Sequence, residues 1–246
     1  MKTLIGIGQR FGSSVITTRC KSNSSGRWLQ RQKNDAHTKL SRSENYRSRA
    51  AYKLIELDDK FRIFNSKSRN IVDLGFAPGA WTQVALERCH KKSVLHPNIL
   101  GIDLINCSPP AGTHFLQGNI LSKATHDAIR SHFGDTVESP VDVVLSDMMQ
   151  NTSGLKDNDH FSSMDLCDGA LILSHSLLKD GGTLVMKFFT GKEDSLLLNK
   201  MKKMFKYVYR MKPHACRNES REMYIIGLKR KSDRVLLNEL FANEQN

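Results

Sequence analysis

An α/β fold with a mostly parallel, doubly wound sheet, helices on both faces and an antiparallel hairpin near its C-terminal end is predicted by three observations. Short apolar runs alternate with segments of helical periodicity from about residue 42 to residue 205. Several of those runs end on Gly or Asp, as buried strands of open α/β sheets do where a ligand edge begins. The last two runs are separated only by a polar loop, with no helix between them, so they must pair as antiparallel neighbours.

The elements follow in order. Ser41 and Glu44 stand at capping-box spacing, and Ala50, Leu54, Leu57 and Phe61 recur at helical intervals, which predicts one amphipathic helix from Arg42 to about Lys60. Asn70–Gly75 is a short apolar run closed by glycine, a buried strand, and a helix follows from Gly79 to about Cys89. Asn98–Asp103 and Thr113–Gln117 give two more strands, Lys123–Phe133 a helix, and Val141–Asp147 a fourth strand. A long helix over Ser162–Leu178 is stopped by Gly181-Gly182; Thr183–Phe189 is the fifth strand and Asp194–Phe205 the next helix. Tyr207–Met211 and Met223–Lys229 form the hairpin. No internal repeat or second domain boundary is visible. The organisation read from the chain is an opening segment over 1–34, one domain over 35–232 and a C-terminal tail over 233–246.

Composition narrows the function. No apolar run approaches the roughly 18 residues of a membrane-spanning helix, so no membrane insertion is expected. Five cysteines (Cys20, Cys89, Cys107, Cys167 and Cys216) lie scattered without a CxxC pair, and nine histidines show no HExxH pattern, so no structural metal is expected. The formal charge is +12, and more than half of that excess comes from Lys2, Arg10, Arg19, Lys21, Arg27, Arg31 and Lys33, all before the first acidic residue, Asp35. A basic, acid-free, serine-containing opening with interspersed Leu4, Ile5, Ile7, Phe11, Val15 and Ile16 reads as a mitochondrial presequence, the alternative being a basic arm that touches RNA.

Candidate chemistry gathers at strand ends. Asp73-Leu-Gly-Phe-Ala-Pro-Gly-Ala-Trp81 joins a strand to a helix; Gly75 and Gly79 let the backbone approach a ligand, and the helix start offers free amide donors. Asp103 ends the second strand, where a carboxylate can receive ribose hydroxyls or act simply as a turn cap. Asp147 closes the fourth strand at the same edge. Lys187 lies within Leu184–Phe189, a run that reads as a buried strand, and buried lysine requires a partner. Lys53 in the first helix and Glu222 at the start of the last strand read singly as solvated charges.

Together these segments resemble a known family. SRAAYKL, DLGFAPGAW, GIDL, LSDM followed by NTSG, VMKFF and SREMYIIGL stand in the order seen in FtsJ/RrmJ-type (RlmE) 2′-O-ribose RNA methyltransferases, over about Arg47 to Lys229, with the mitochondrial large-subunit ribosomal RNA branch the most similar. The resemblance implies a Rossmann-like methyltransferase fold, S-adenosyl-L-methionine as cofactor, and a Lys-Asp-Lys-Glu tetrad at Lys53, Asp147, Lys187 and Glu222. It also implies cofactor contacts at Gly75, Pro78, Gly79, Ala80, Trp81, Asp103, Asn119, Ile120 and Asp147. Asn119 stands where relatives often carry an acid, and Met149-Gln150 where they often carry Ala-Pro, which bears on the cofactor's adenine edge and on the substrate lip.

The expected reaction is 2′-O-methylation of a nucleotide, a uridine, in mitochondrial large-subunit ribosomal RNA or a pre-ribosomal particle in the matrix. A tRNA or cap substrate, or a non-catalytic assembly role, stands as the alternative. Arg42, Arg47, Arg49, Arg217 and Arg221 are the expected phosphate contacts, joined by Lys200, Lys202, Lys203, Lys206, Arg230 and Lys231, part of which should be only solvated surface.

Overall fold

The computed structural model describes residues 35–134, 140–150 and 153–242. The candidate presequence and the Asn151-Thr152 pair of the NTSG segment lie outside the described residues. All elements below belong to one unit, Ala36–Asn246. Among the described residues no helix is long and apolar enough to cross a membrane.

In chain order the elements are α1 (Ala36–Ser43), α2 (Ala50–Phe61), β1 (Asn70–Leu74), α3 (Ala80–Lys91), β2 (Asn98–Asp103), β3 (His114–Gln117), α4 (Lys123–Phe133), β4 (Val141–Ser146), α5 (Lys156–Leu177), β5 (Leu178–Phe189), α6 (Asp194–Met204), β6 (Phe205–Met211), β7 (Glu222–Arg230) and α7 (Leu237–Phe241). The seven strands form one sheet in the order β3-β2-β1-β4-β5-β7-β6. β1 to β5 are parallel; β7 runs antiparallel to both β5 and β6. The chain passes from β1 outward through β2 and β3, then returns to β4 on the other side of β1, so the topological switch lies between β1 and β4.

Two apolar layers cover the sheet, and strand alternation assigns residues to them. Ile71, Ile99, Val143, Leu145, Val185, Tyr224 and Ile226 pack under α2 and α3, whereas Val72, Leu74, Leu100, Ile102, Val144, Leu184, Met186 and Ile225 pack under α4, α5 and α6. Both faces are therefore buried, which is why the central strands read as continuous apolar runs.

The sequence reading requires three corrections. The predicted Arg42–Lys60 helix is two helices, broken where Asn45 takes a left-handed φ of 62°. Ser41 and Glu44 do not cap: the Ser41 hydroxyl donates back to Thr38 O, and Glu44 accepts from the Tyr52 hydroxyl at 2.7 Å. Gly181-Gly182 does not stop α5, which ends at Leu177; the pair lies in a bulge of β5, where Leu178 opposes Val141 but Thr183 already opposes Val143. Further on, the C-terminal segment adds α7, whose Leu240 is buried in the core layer under α6.

Candidate active site

The sheet register assembles the site. Lys187 opposes Tyr224 across the β5–β7 ladder, and Asp147 follows directly on the Ser146–Met186 rung of β4 and β5. By alternation Lys187 shares a face with Val185, Tyr224 and Glu222 with Ile226, and Asp147 with Leu145, so all four point to the α2 and α3 side. On that side α2 presents Lys53, one turn before buried Leu57. The four residues the resemblance named are thus brought together, although 169 positions separate Lys53 from Glu222.

They form one hydrogen-bonded chain, and its middle member was missed by sequence reasoning. Lys53 Nζ donates to Glu222 Oε1 at 2.5 Å. The Tyr224 hydroxyl lies 2.5 Å from the same Glu222 oxygen and 2.7 Å from Asp147 Oδ1. Lys187 Nζ reaches Asp147 Oδ1 at 3.1 Å and donates to the Asp147 backbone carbonyl at 2.7 Å. Two ammonium groups and two carboxylates therefore alternate around one phenol. Tyr224 is fully buried, and its burial, with the Asp147 and Glu222 carboxylates, holds its hydroxyl well above its ordinary pKa, as a donor. Its signal in the sequence was its position two residues after Glu222, on the same strand face.

Charge balance follows from this geometry. Burial works against charge on Lys53, but the nearby Asp147 and Glu222 carboxylates outweigh it and hold the ammonium above its usual pKa. Burial likewise raises Asp147, yet Lys187, Lys53 and the Tyr224 hydrogen bond overcome it, and the carboxyl stays below its ordinary value. Burial pushes the neighbouring Cys216 thiol up to about 12, with the Glu222 charge adding to it, so this thiol is no nucleophile here.

The glycine turn lies beside this chain, across the switch point. Gly75 takes a φ of 74°, and a Cβ there would meet the Met148 backbone at 2.7 Å; glycine lets the end of β1 lie against the end of β4. Asp147 N–H donates to Leu74 O at 3.0 Å across the same junction. Phe76, another residue missed from sequence, lies so close over β2 that a Cβ on Gly101 would clash with its ring. Asp103 holds the turn, accepting Ala77 N–H at 2.8 Å and Ile105 N–H at 2.9 Å.

The remaining predicted cofactor residues divide. Pro78 is exposed and Gly79 opens α3 with a φ of 99°. The side chains of Ala80 and Trp81 are core residues: the Trp81 ring lies 5.7 Å from that of Tyr224, and its Nε1 donates to Ala50 O at 2.9 Å. Ile120 is buried, while Asn119 is exposed, its Oδ1 accepting Leu121 N–H and its NH₂ still available.

A fourth carboxylate belongs to this edge. Asp73, fully buried near the end of β1, accepts the Thr82 hydroxyl at 2.7 Å through Oδ2, while its Oδ1 has no partner. Burial, with the charges of Asp147 and Asp103 adding to it, raises its pKa from 3.8 to about 7.

Several expected phosphate contacts are occupied by backbone carbonyls. Arg47 donates to Pro78 O and Ser108 O, clamping the turn to the loop after β2. Arg49 donates to Ala215 O, and Arg221 to Thr190 O and Lys156 O. Arg42 is exposed and Arg217 half-buried. Lys200 pairs with Asp168 at 2.8 Å, Lys203 donates to Glu239 O and Lys231 to Lys202 O; Lys202 and Lys206 are exposed. Arg230 is buried against Leu178 O and His175 O and faces no solvent.

Residues 46–230 match the family model of FtsJ-like methyltransferases. The chain is 37% identical to the rRNA methyltransferase 2, mitochondrial, of Saccharomyces cerevisiae, covering 88% of this chain and 91% of that one. It is 40% identical to the ribosomal RNA large subunit methyltransferase E of Parvibaculum lavamentivorans, covering 90% and 89%. A crystal structure from Plasmodium falciparum, described as a ribosomal RNA methyltransferase, superposes with a TM-score of 0.66 at 33% identity, over 75% of this chain and 98% of that one. The order of strands, the buried lysine–carboxylate chain and these likenesses agree: the chain belongs to the FtsJ-like methyltransferase family.

Proposed function

We propose that this protein methylates the 2′-hydroxyl of a ribose, in a uridine of mitochondrial large-subunit ribosomal RNA, with S-adenosyl-L-methionine as donor. The observation that carries the reading is the chain Lys53–Glu222–Tyr224–Asp147–Lys187 at the carboxyl edge of the sheet. A hydroxyl acceptor must lose a proton as it is methylated, and this chain offers an amine to take it. The relatives' names supply the RNA, the subunit and the organelle; the acid-free opening before Asp35 is the matching feature here.

The residues at the switch point fit the donor. It carries a sulfonium and an ammonium, and Asp73, Asp103 and Asp147 place three carboxylates at one edge, with Asp73 Oδ1 unpartnered in the interior. Asp103 retains lone pairs beyond its two backbone bonds for a ribose diol, and Asn119 offers an amide NH₂ to an adenine edge. When bound, the cofactor supplies an electrophilic methyl on a good leaving group.

The chain's own residues do the rest. Lys187 holds two N–H bonds on Asp147; once its third proton has passed to solvent, that position accepts the proton of the ribose hydroxyl. Asp147 keeps the amine aimed. Lys53 stays charged beside Glu222 and offers positive charge to the oxygen that loses its proton. Tyr224 ties the two pairs into one geometry.

The test is ribose-methylation mapping of total mitochondrial RNA from cells with and without the protein. Loss of one 2′-O-methyl nucleotide in large-subunit rRNA is expected. Loss confined to tRNA would redirect the substrate, and no loss would contradict the reading. The location is tested by fusing residues 1–34 to a reporter, which should reach mitochondria; a fusion that stays cytosolic while the full chain is imported would refute the presequence.

A further inference from the structure

The free edge of the sheet carries aromatic rings where an exposed edge strand is usually blunted by charge alone. On β6, Tyr207 and Tyr209 are 39% and 43% exposed and lie on one face by strand alternation. Tyr209 stacks on Phe61 at the end of α2, with centroids 5.2 Å apart and planes 29° from parallel, so its ring is held in place by one face. Tyr207 lies between two ammonium groups, Lys206 Nζ at 5.6 Å and Lys229 Nζ at 5.5 Å from its centroid. Lys60 lies 5.6 Å over Phe61, and Arg62 and Arg210 are exposed beside them. Asp59 pairs with Arg88 at 2.8 Å and Asp194 with Arg210 at 3.9 Å, while Lys60, Arg62, Lys206 and Lys229 keep the surface cationic.

This surface lies on the strand paired with β7, which carries Tyr224 and Glu222. Met211, at the end of β6, opposes Tyr224 of the buried chain. Tyr209 lies two residues and Tyr207 four residues back along β6, so the rings are about 7 and 14 Å from that rung. Exposed aromatics among lysines and arginines are the chemistry of single-stranded nucleic-acid binding: base faces stack on the rings while the cations take phosphates. A duplex presents no free base face and gains nothing from the rings.

We propose that Tyr207 and Tyr209 form a stacking platform for the unpaired RNA strand that flanks the methylated nucleotide. The proposal rests on the RNA-methyltransferase reading above and adds to it a second contact surface outside the reacting centre.

The experiment measures fluorescence anisotropy of the full chain with a labelled 12-nucleotide oligouridine and with a blunt RNA duplex of equal length. Stacking of one base on one ring contributes about 5- to 150-fold in affinity. Tyr207→Ala/Tyr209→Ala is therefore expected to weaken oligouridine binding by about tenfold or more while leaving duplex binding unchanged. Tyr207→Phe/Tyr209→Phe, which keeps the rings, should bind as wild type does. Thermal melting checks that both variants fold. Equal oligouridine affinity in wild type and the alanine pair would overturn the platform, as expected if the edge instead pairs with a protein strand. Failure of the phenylalanine pair to bind would also overturn it. Neither outcome touches the methylation map, whose failure would instead sink the RNA-methyltransferase reading.

Discussion

At the ends of β1 and β2, Asp73 and Asp103 have no ion pair among the described residues, whereas at the end of β4 and the start of β7 Asp147 and Glu222 each have an ammonium within 3.1 Å. These are two halves of one sheet edge that meet where β1 pairs with β4. The uncompensated half holds carboxyl groups without a cationic partner among the described residues, which in the proposed reaction the donor's positive charge would supply. The compensated half pairs its carboxylates with lysines, so a polyanionic RNA can approach it, and in the proposed reaction those lysines serve a proton rather than a phosphate. Gly75 is what allows the two to abut.

The largest effect that tests this division is on the compensated half. Lys187→Ala removes the amine but leaves Asp103 and the glycine turn, and tritiated methyl transfer to mitochondrial large-subunit rRNA should fall about 10²- to 10⁴-fold. Melting curves confirm the fold; a wild-type rate would exclude Lys187 as the base.

On the other half, Asp103→Ala should weaken S-adenosyl-L-methionine binding in calorimetry by about ten- to a hundredfold, the worth of hydrogen bonds to a charged group. Unchanged affinity would remove Asp103 from the cofactor site and erase the contrast between the halves.

Tyr224→Phe probes the bond that joins the two lysine–carboxylate pairs. Asp147 Oδ1 and Glu222 Oε1 lose their shared donor, and urea denaturation should show a loss of about 1–3 kcal/mol. A variant as stable as wild type would mean that the two pairs stand independently.

The smallest effect on turnover is expected at Asp73, where the readout is stability against pH. Below about pH 3 its carboxyl is largely protonated in folded and unfolded chains alike. Its pKa is 3.8 unfolded but about 7 when folded, so stability present in acid is lost as pH rises between those values. The loss is on the order of 4 kcal/mol. Asp73→Asn should flatten this stretch of the stability curve; an unchanged slope from pH 4 to 7 would show that Asp73 titrates normally.

Much of this was legible in the sequence because it rests on period and position. Strand alternation and Gly- or Asp-terminated runs located β1, β2 and β4, and Lys187 stood out as a charge inside an apolar strand. Lys53 and Glu222 did not, since isolated charges near an element's end look like surface, and only the family resemblance marked them. Tyr224 was hidden by being apolar enough for a core. Asp73 lay in plain view within its motif, yet its burial depends on α3 folding back with Thr82. The break at Asn45 and the bulge at Gly181 were illegible because tertiary packing, rather than local propensity, selects those backbone states. Arg47, Arg49 and Arg221 stood out as cations, but sequence cannot show which carbonyls each guanidinium also binds.

The measurement that bears most directly on the divided edge is the single-turnover rate of Asp103→Ala and Lys187→Ala side by side, with RNA and S-adenosyl-L-methionine both saturating. Asp103→Ala should recover most of the wild-type rate once the donor saturates, because its defect is in binding. Lys187→Ala should remain at least about a hundredfold slow at any concentration. A Lys187→Ala enzyme restored by saturating donor would contradict the assignment of proton removal to the compensated half.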